Sequence, residues 1–471
     1  MPAPVISVAQ MREWEAATWA TGQTDADVIG RVGKRIACRA RKLTHDSDSI
    51  LILAGKGHNG DDARAAQEFL TGRKVKLLEL FAPETDLPAL EMALAENPTL
   101  VVDGIFGIGL NRPLAEPWQK IIAAVNAAKI PMLAVDVPSG LNADTGEIFG
   151  AGIEAAVTLT VGAPKIGMLT ASAWPFVGRL EVAEDVGLVP CPLKSELNWT
   201  LPEDFKNFPP LRSAAAHKGS FGHVSIIAGS MGFHGAAVLA ARGAQRAQPG
   251  LVTVFTQQDV YYPIASQLSS AMVNVWSADA KKMSAGFDAL LVGPGLAGRD
   301  VPTDLRHTLR HWWRDCEQPL VVDASALDLL SAEPFLKKYV RVLTPHPGEA
   351  ARMLNWTVQK IQAERVKALR ELSKKFGGAW VVLKGHQTLV GRAEGEIFVN
   401  PSGNPHLAQG GSGDLLAGFI AGLLAQPTLS VDVEKILRYA VWQHGAAADE
   451  LQSRRANWTV EDLAAEIGNV G

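Results

Sequence analysis

Short runs of aliphatic and β-branched residues alternate along this chain with longer alanine-rich stretches of helical character. In the first half such runs lie at 50–53, 75–78, 100–102, 132–135 and 157–160. The alternation restarts with runs at 224–227, 251–254, 289–292, 320–322, 341–343 and 380–383. This pattern is typical of parallel sheets whose strands are joined by crossover helices. The sequence therefore predicts two α/β domains in tandem.

The length and a proline-rich stretch indicate where the two domains separate. A chain of 471 residues is too long for one core at the usual ~100 to 200 residues per domain. Residues 189–211 show no sustained periodicity, and they contain Pro190, Pro192, Pro202, Pro209 and Pro210. We expect a first domain at 1–200, a proline-rich linker at 201–212 and a second domain at 213–471. The halves carry different motifs, which argues against an internal duplication.

Charge and cysteine content exclude several classes of protein. With 45 basic and 49 acidic side chains, the net charge of −4 gives no reason to expect a nucleic-acid partner. Cys38, Cys191 and Cys316 lie far apart, so neither a disulfide framework nor a zinc site is expected. The N-terminus shows no signal-peptide pattern, and the apolar stretch 415–425 is shorter than the ~18 to 20 residues of a membrane span. We expect a cytoplasmic protein with no membrane partner.

A glycine-rich turn in the second half carries the strongest chemical signal. Gly410, Gly411, Ser412 and Gly413 precede Asp414 and a helical run at 415–422. Glycines let the backbone approach a ligand, and the free N–H groups of a starting helix bind an anion such as phosphate. A carboxylate beside that anion favours a cation or accepts a proton from a hydroxyl nucleophile. The alternative is a tight turn in which Asp414 only caps the helix.

Three other predicted strand ends in this half are also polar or glycine-rich. They are 293–295 (GPG), 344–349 (TPHPGE) and 384–388 (KGHQT). Ligands of doubly wound sheets bind beyond the carboxyl ends of the strands. Together these loops favour a phosphate or nucleotide site. His346 is either a loop residue bonded to the backbone or a substrate contact.

Six motifs of the second half, in order, resemble those of the ADP/ATP-dependent NAD(P)H-hydrate dehydratases. They are 217–219, 229–230 with 235–237, 293–295, 346–349, 384–385 and 410–414. The resemblance covers 213 to the end and implies a ribokinase-like fold, with ADP as co-substrate and Mg²⁺. It implies that Lys384, Gly385, His386, Gln387, Thr388, Gly410, Gly411, Ser412 and Gly413 hold the adenine nucleotide. Ala236, Gly295, His346 and Asp414 then face the hydrated nicotinamide nucleotide. Ser325 stands where the family usually has a second Asp.

The reaction implied by this resemblance removes water from C6 of a damaged dihydronicotinamide ring. Hydroxide is a poor leaving group, so nucleotide dependence indicates that the hydroxyl is phosphorylated and then expelled as phosphate. Asp414 takes the hydroxyl proton as the catalytic base, and the amides of 411–413 stabilise charge on the transferring phosphoryl group. The same parts suit a kinase, but here the ring nitrogen pushes electrons into the departing C–O bond.

The first half has its own glycine-rich strand-to-helix turn. The run 55–62 follows a predicted strand and precedes a helical stretch at 63–70, the geometry of a phosphate site. Two further strand ends, at 103–110 and 136–140, begin with Asp103 and Asp136. Carboxylates are costly there unless they bind a ligand, a cation or backbone donors. The alternative is a set of capped helix starts.

Most of residues 1–190 resemble the NAD(P)H-hydrate epimerases, a Rossmann-like family often fused in front of the dehydratase. The resemblance implies substrate contacts from His58, Asn59, Gly60, Asp61, Asp62, Gly107, Ile108, Gly109, Leu110, Asn111, Arg112, Pro113 and Asp136. It also implies that Asn59, Asp103 and Ser139 bind K⁺. Lys165, in the matching run 163–167, and Asp136 are the catalytic candidates for proton transfer. The family loop NNGGDG reads HNGDDA here, so Asp61 adds a negative charge close to a diphosphate.

The sequence thus predicts a bifunctional repair enzyme, expected as a homo-oligomer. Its first domain interconverts the R and S forms of hydrated NADH and NADPH (NADHX and NADPHX), and its second dehydrates the S form with ADP, releasing AMP and phosphate. A ribokinase-like small-molecule kinase is a second reading, opposed by the fused first domain and the HPGE motif. A third makes the first domain a binding or scaffolding module whose loop has decayed. His58, Asp61 and Ala63 support this third reading, while the retained Asn59, Asp103, Asp136 and Ser139 oppose it.

Overall fold

The computed structural model describes residues 2–277, 279, 281–296, 303–332, 334–336 and 338–470. The chain forms two compact units, the first at Ala3–Ser195 and the second beginning at Glu196. No helix within these described residues is long and apolar enough to cross a bilayer.

The first unit is an α/β domain built on a parallel sheet. Its sheet consists of β2 (Ser49–Ala54), β3 (Lys74–Glu79), β4 (Leu100–Gly104), β5 (Met132–Val135), β6 (Val157–Val161) and β7 (Arg179–Ala183), and the short strand β1 (Ala3–Pro4) lies outside it. Its helices are α1 (Val8–Trp19), α2 (Asp25–Leu43), α3 (His58–Ala66), α4 (Pro83–Ala95), α5 (Glu116–Ala127) and α6 (Trp174–Val177). The sheet order is β3-β2-β4-β5-β6-β7.

Alternate residues of β2 show that this sheet is covered on both faces. Ile50 and Ile52 pack in one apolar cluster with residues of α1, α2 and α3. Leu51 and Leu53 pack in another with residues of α4 and α5. Because β2 lies between β3 and β4, the chain reverses its direction of winding there, and a crevice opens at the carboxyl ends of these strands.

The second unit is a larger α/β domain. Its strands are β8 (Leu197–Trp199), β9 (His223–Ile227), β10 (Leu251–Thr256), β11 (Met272–Val275), β12 (Ala289–Val292), β13 (Leu320–Val322), β14 (Arg341–Leu343), β15 (Trp380–Leu383), β16 (Leu389–Gly391) and β17 (Ile397–Val399). Its helices are α7 (His234–Arg246), α8 (Tyr261–Ala265), α9 (Lys281–Ser284), α10 (Thr303–Asp315), α11 (Pro347–Leu354), α12 (Val358–Ala363), α13 (Arg365–Lys375), α14 (Ser412–Leu424), α15 (Val433–Arg454) and α16 (Val460–Glu466).

The sheet of this unit runs in the order β8-β17-β16-β15-β14-β13-β12-β9-β10-β11. From β14 to β11 neighbouring strands are parallel. β16 is antiparallel to both β15 and β17. The predicted α/β class is confirmed, and every strand candidate named from the sequence lies within a strand of the structure.

The segment expected to be a linker is partly built into the second unit. β8 pairs in parallel with β17, and Phe205, within 201–212, is buried in the core of this unit. The contact boundary therefore lies between Ser195 and Glu196, earlier than the expected one at residue 200. Because several prolines lie in this stretch of sequence, its pattern predicted neither the short strand nor the buried phenylalanine.

Candidate active sites

A cavity of about 1100 Å³ lies at the carboxyl ends of β2, β4 and β5 in the first unit. Most of the predicted substrate contacts line it, namely His58, Asn59, Asp62, Gly107, Ile108, Gly109, Leu110, Asn111, Arg112, Pro113 and Asp136. Its lining does not include Gly60 or Asp61. The predicted loops thus converge on one cavity of a size that suits a nucleotide ligand.

Gly60 supports the cavity from behind. A Cβ atom at Gly60 would lie 2.0 Å from the carbonyl oxygen of Gly55, so the first turn of α3 packs against the end of β2 only with glycine here. Asp61 points elsewhere and pairs with Arg64, whose Nη1 lies 2.7 Å from Asp61 Oδ1. Arg64 also donates to the carbonyl of Gly55 and to Glu79. Asp61 lies in α3 without a positive φ, so its replacement of glycine causes no backbone strain.

The predicted potassium ligands meet around the main chain of Phe106. The amide of Asn59 donates to the Phe106 carbonyl at 2.9 Å. The Phe106 N–H donates to Ser139 Oγ at 2.8 Å, and this hydroxyl donates to Asp103 Oδ1 at 2.6 Å. Asp103 is fully buried, and burial raises the pKa of its carboxyl group. The three side chains come from the first turn of α3, the end of β4 and the loop after β5, and they carry the neutral and anionic oxygens that suit an alkali cation.

Asp136 and Lys165 form a buried ion pair. Lys165 Nζ lies 2.5 Å from Asp136 Oδ1, and Lys165 is fully buried. The same carboxylate oxygen accepts hydrogen bonds from Thr160 Oγ1 and from the Val161 N–H. Asp136 has a φ of 61°, in the left-handed region, which indicates a residue held in place for function. The two predicted catalytic groups are therefore brought together, with Asp136 at the cavity wall.

Besides Asp136, the carboxyl groups of Glu15, Asp25 and Asp62 line this cavity. Burial raises the pKa of Asp62 to about 8, and the negative charges of Asp136, Asp61 and Glu15 add to the effect. Glu15 reaches the cavity from α1. Sequence reasoning missed it, because a glutamate in an amphipathic helix carries no signal that distinguishes a site residue from a solvated one.

The second unit has its own charged cluster at the ends of β13, β14 and β15. Lys384 Nζ lies 2.8 Å from Asp323 Oδ1, and Thr344 Oγ1 donates to the same oxygen at 2.7 Å. Burial raises the pKa of Asp414 to about 7, helped by Asp323 and Glu349 and opposed by Lys384. The predicted base is thus poised near neutral pH, which suits general-base catalysis.

The glycine-rich turn forms the start of α14. Gly411 is its N-cap with a φ of +94°, and a Cβ atom there would lie 2.2 Å from Leu239 Cδ1. Lys384 Nζ lies 3.1 Å from the Cβ position of Gly413, so the ammonium group reaches the helix start. His444 buttresses the turn from α15, since its Nε2 donates to the Ser412 carbonyl at 3.1 Å. Burial lowers the pKa of His444 to about 4, so this imidazole is neutral at physiological pH.

His346 caps the first turn of α11. Its Nδ1 accepts a hydrogen bond from the Gly348 N–H at 3.0 Å, and the His346 N–H donates to Glu349 Oε2 at 2.8 Å. The side chain is half exposed. Its Nε2 lies 3.5 Å from Glu349 Oε1, so both ring nitrogens face groups of the first turn of α11.

The remaining predicted contacts of the second unit form two groups. Ala236 and Gly295 are neighbours, because a Cβ atom at Gly295 would lie 3.0 Å from Ala236 Cβ. In the loop after β15, Gln387 has a φ of 51° and Thr388 Oγ1 donates to the Gly385 carbonyl at 2.9 Å. Buried Arg365 supports this loop by donating to the Leu383 carbonyl. Sequence reasoning missed Arg365, which lies in a helix away from the motifs.

Both units thus place polar strand ends and glycine-rich turns at the carboxyl ends of parallel strands, an arrangement typical of α/β enzymes that handle nucleotides. The family model described as NAD(P)H-hydrate dehydratase matches residues 224–469, and the one described as YjeF-related protein N-terminus matches 81–167. The bifunctional NAD(P)H-hydrate repair enzyme Nnr of Coxiella burnetii is 33% identical over 464 residues, covering 93% of each chain. That of Escherichia coli K12 is 32% identical over 94% of this chain and 90% of its own. The chain belongs to the family of bifunctional NAD(P)H-hydrate repair enzymes.

Solved structures agree for the second unit. The Bacillus subtilis ADP/ATP-dependent NAD(P)H-hydrate dehydratase, co-crystallised with ATP and Mg²⁺, is 30% identical and has a TM-score of 0.50. It covers 57% of this chain and 96% of its own. A ribokinase-like superfamily protein from Enterococcus faecalis is 26% identical with a TM-score of 0.52, covering 60% of this chain and 97% of its own. The predicted ribokinase-like fold is confirmed.

Proposed function

We propose that the protein repairs hydrated NADH and NADPH in two steps. The first unit interconverts the R and S hydrates, and the second dehydrates the S hydrate with ADP, releasing AMP and phosphate. The observation that carries this proposal is the occurrence of two separate polar sites in one chain of this family, each at the carboxyl ends of a parallel sheet. A homo-oligomeric state and a cytoplasmic location stay predictions from the sequence.

In the dehydration step, Asp414 is the proton acceptor. Its raised pKa of about 7 keeps a useful fraction of the carboxylate ionised at neutral pH while leaving it basic enough to accept a hydroxyl proton. The Lys384 ammonium lies beside the start of α14, and it and the amide groups there would stabilise the charge that develops on the transferring phosphoryl group. The electron pair of N1 then expels phosphate from C6, and loss of a proton from C5 to the phosphate or to solvent restores the C5=C6 double bond.

Mg²⁺ fits this site as a companion of the nucleotide. Among the described residues, no group of three or more His, Cys, Asp or Glu side chains forms a cluster that could hold a metal ion. Mg²⁺ commonly binds one or two carboxylates together with substrate phosphates and water. The charges of Asp414, Asp323 and Glu349, acting together near Lys384, provide the negative field that such an ion needs. When bound, the ion neutralises phosphate charge.

In the epimerisation step, Asp136 and Lys165 carry out the proton transfer. K⁺, held by Asn59, Asp103 and Ser139, would neutralise charge where the diphosphate binds. Buried Asp103 accepts hydrogen bonds from the Ile105 N–H, the Ser139 N–H and the Ser139 hydroxyl, and a K⁺ ion would add to these donors in compensating its charge. The hydrogen bonds that join the three residues through Phe106 keep their oxygens close together.

One experiment tests both steps. The purified protein is incubated with mixed R and S NADH hydrates, with and without ADP, while the absorbance of NADH and the release of phosphate are followed. Full conversion of both hydrates with ADP, accompanied by equimolar phosphate, is expected. A stable phosphorylated product with no recovery of NADH absorbance would favour the kinase, and full recovery without nucleotide would exclude a phosphorylation step.

A further inference from the structure

Helix α1 presents one face to the first-unit cavity. Four of its residues line the cavity, namely Met11, Arg12, Glu15 and Trp19. Positions i, i+1, i+4 and i+8 share a helix face, so these contacts come from the orientation of the whole helix and not from one flexible side chain. Glu15 is the acidic member of this face, and it is only partly exposed.

The position of α1 is fixed at both ends. At its start, Ser7 and Gln10 form a capping box, and the Val8 N–H donates to Asp144 Oδ1 at 2.7 Å. Towards its end, the indole N–H of Trp14 donates to the Val189 carbonyl at 2.8 Å. These contacts fix the backbone of α1, and therefore of Glu15, beside the cavity.

The negative charge of Glu15 acts on Asp62 inside this cavity. Burial raises the pKa of Glu15, and the nearby charge of Asp136 raises it further. The charge of Glu15 in turn is one of the causes that raise the pKa of Asp62. Two carboxyl groups in a shared, partly desolvated site do not both ionise easily, so one retains a proton.

We propose that Glu15 and Asp62 form an acid pair that holds a proton at neutral pH and donates it to the C6 hydroxyl of the hydrated ring during epimerisation. Both side chains line the cavity that also contains Asp136, the partner of Lys165. The inference rests on the epimerase activity proposed above.

The acid pair supplies the proton that the C6 hydroxyl takes up as it leaves. The C6–O bond breaks, the hydroxyl leaves as water, and the electron pair of ring atom N1 forms the N1=C6 bond. Water then adds to C6 from the other face, N1 recovers its electron pair, and the proton released passes to Asp136. Proton exchange with solvent then restores the acid pair and Asp136 for the next turnover, and the reverse reaction uses the same two groups in the opposite order.

Several other charged groups face the pair. The charges of Arg12, His58, Asp136 and Lys165 shift the pKa of Glu15. The charges of Asp61 and Asp136 shift the pKa of Asp62. The same cavity is also lined by Asp25, Lys56 and Arg112. The negative charges of Asp136, Asp61 and Glu15, together with burial, all raise the pKa of Asp62. Replacing Glu15 by glutamine removes one of the three negative charges and lowers the pKa of Asp62.

The test compares Glu15→Gln with Glu13→Gln, an exposed glutamate of the same helix. Epimerisation of S to R NADH hydrate is measured from pH 6 to pH 10. For Glu15→Gln the alkaline limb, where the donor loses its proton, should move to lower pH, with no such shift for Glu13→Gln. Asp62→Asn should lose ~10² to 10⁴-fold in rate, the usual contribution of a general acid. Circular dichroism and ADP-dependent dehydration of S hydrate confirm that each variant is folded.

The outcomes separate the inference from the function on which it rests. If the wild-type protein epimerises and Glu15→Gln has the same pH profile as Glu13→Gln, the acid pair is wrong while the epimerase stands. If the wild-type protein does not epimerise at all, both fail. Recovery of the wild-type profile in Glu15→Asp supports a carboxyl role over a packing role.

Discussion

The ammonium group of Lys384 lies 2.8 Å from the carboxylate of Asp323, which is only 1% exposed, at the carboxyl ends of β15 and β13. Burial opposes the charged form of Lys384, but Asp323, Glu349 and Asp414 outweigh it and raise the pKa of the lysine. The lysine therefore has two roles. It compensates a buried carboxylate, and it holds a positive charge beside the predicted base.

The first prediction concerns stability. Lys384→Met leaves the Asp323 carboxylate buried without its cation, and breaking a buried pair in this way costs about 3 to 5 kcal/mol of unfolding free energy. Urea unfolding measures the loss, and the double variant Lys384→Met/Asp323→Asn should recover most of it. Lys374→Met is the control, because its pair with Glu371 is exposed and worth about 0 to 1 kcal/mol. Equal losses for Lys384→Met and Lys374→Met would contradict a buried pair.

The second prediction concerns Asp414 as the base. Asp414→Asn keeps the size of the side chain but removes the proton acceptor, so dehydration of S hydrate should slow by ~10² to 10⁴-fold. Exposed Asp259→Asn is the matched control. A loss below tenfold for Asp414→Asn would reassign the residue to helix capping.

The third prediction concerns the pH profile of dehydration. A base must be deprotonated to act, so the wild-type rate should fall as pH drops through about 7, the raised pKa of Asp414. Asp323→Asn removes a negative charge that raises this pKa, and its acid limb should therefore lie at lower pH. An unshifted limb in Asp323→Asn would show that another group controls the profile.

The sequence was informative about strands for a physical reason. Parallel strands buried on both faces are apolar throughout, as in β2 and β12, and such runs stand out in any sequence. β7, the edge strand Arg179–Ala183, alternates charged and apolar residues and was missed. β8 was missed because prolines flank it. The strands that the pattern failed to show are those that lie at sheet edges or in the antiparallel part.

The site residues that the sequence indicated lie at glycine-rich turns and strand ends, whereas those that it missed lie in helices. Loops that contact phosphate need glycine and a polar residue at fixed spacing, so motif reasoning located Asp136, Asp414 and their neighbours. Arg64, Arg365 and Glu15 escaped because each acts from a helix, where an isolated charge usually only faces solvent. Their roles depend on which helix face meets the loop, and that is decided by the packing of the whole unit.

The fourth prediction concerns the cation of the first unit. The thermal stability of the protein should be higher in KCl than in choline chloride at the same ionic strength, because an ion bound to the native state stabilises it by mass action. Asp103→Asn should abolish the difference, while exposed Asp46→Asn should preserve it. A crystal grown with potassium should show the ion between Asn59, Asp103 and Ser139, and a map with no ion there would count against the site.

The fifth prediction concerns the charge that Asp61 adds to the loop. An unpaired carboxylate ~4 Å from a diphosphate costs up to about 4 kcal/mol per unit charge at an effective dielectric of ~20, which solvent and salt reduce. Arg64 already pairs with Asp61 at 2.7 Å, so the intact protein should convert both R and S hydrates with ADP, and Asp136→Ala should leave only the S form consumed. Arg64→Gln should raise the KM for epimerisation, and the double variant Asp61→Asn/Arg64→Gln should restore it, which separates repulsion from loss of the Gly55 contact. Consumption of S alone by the wild-type protein, with R conversion gained in Asp61→Gly, would show instead that Asp61 repels the substrate despite its partner.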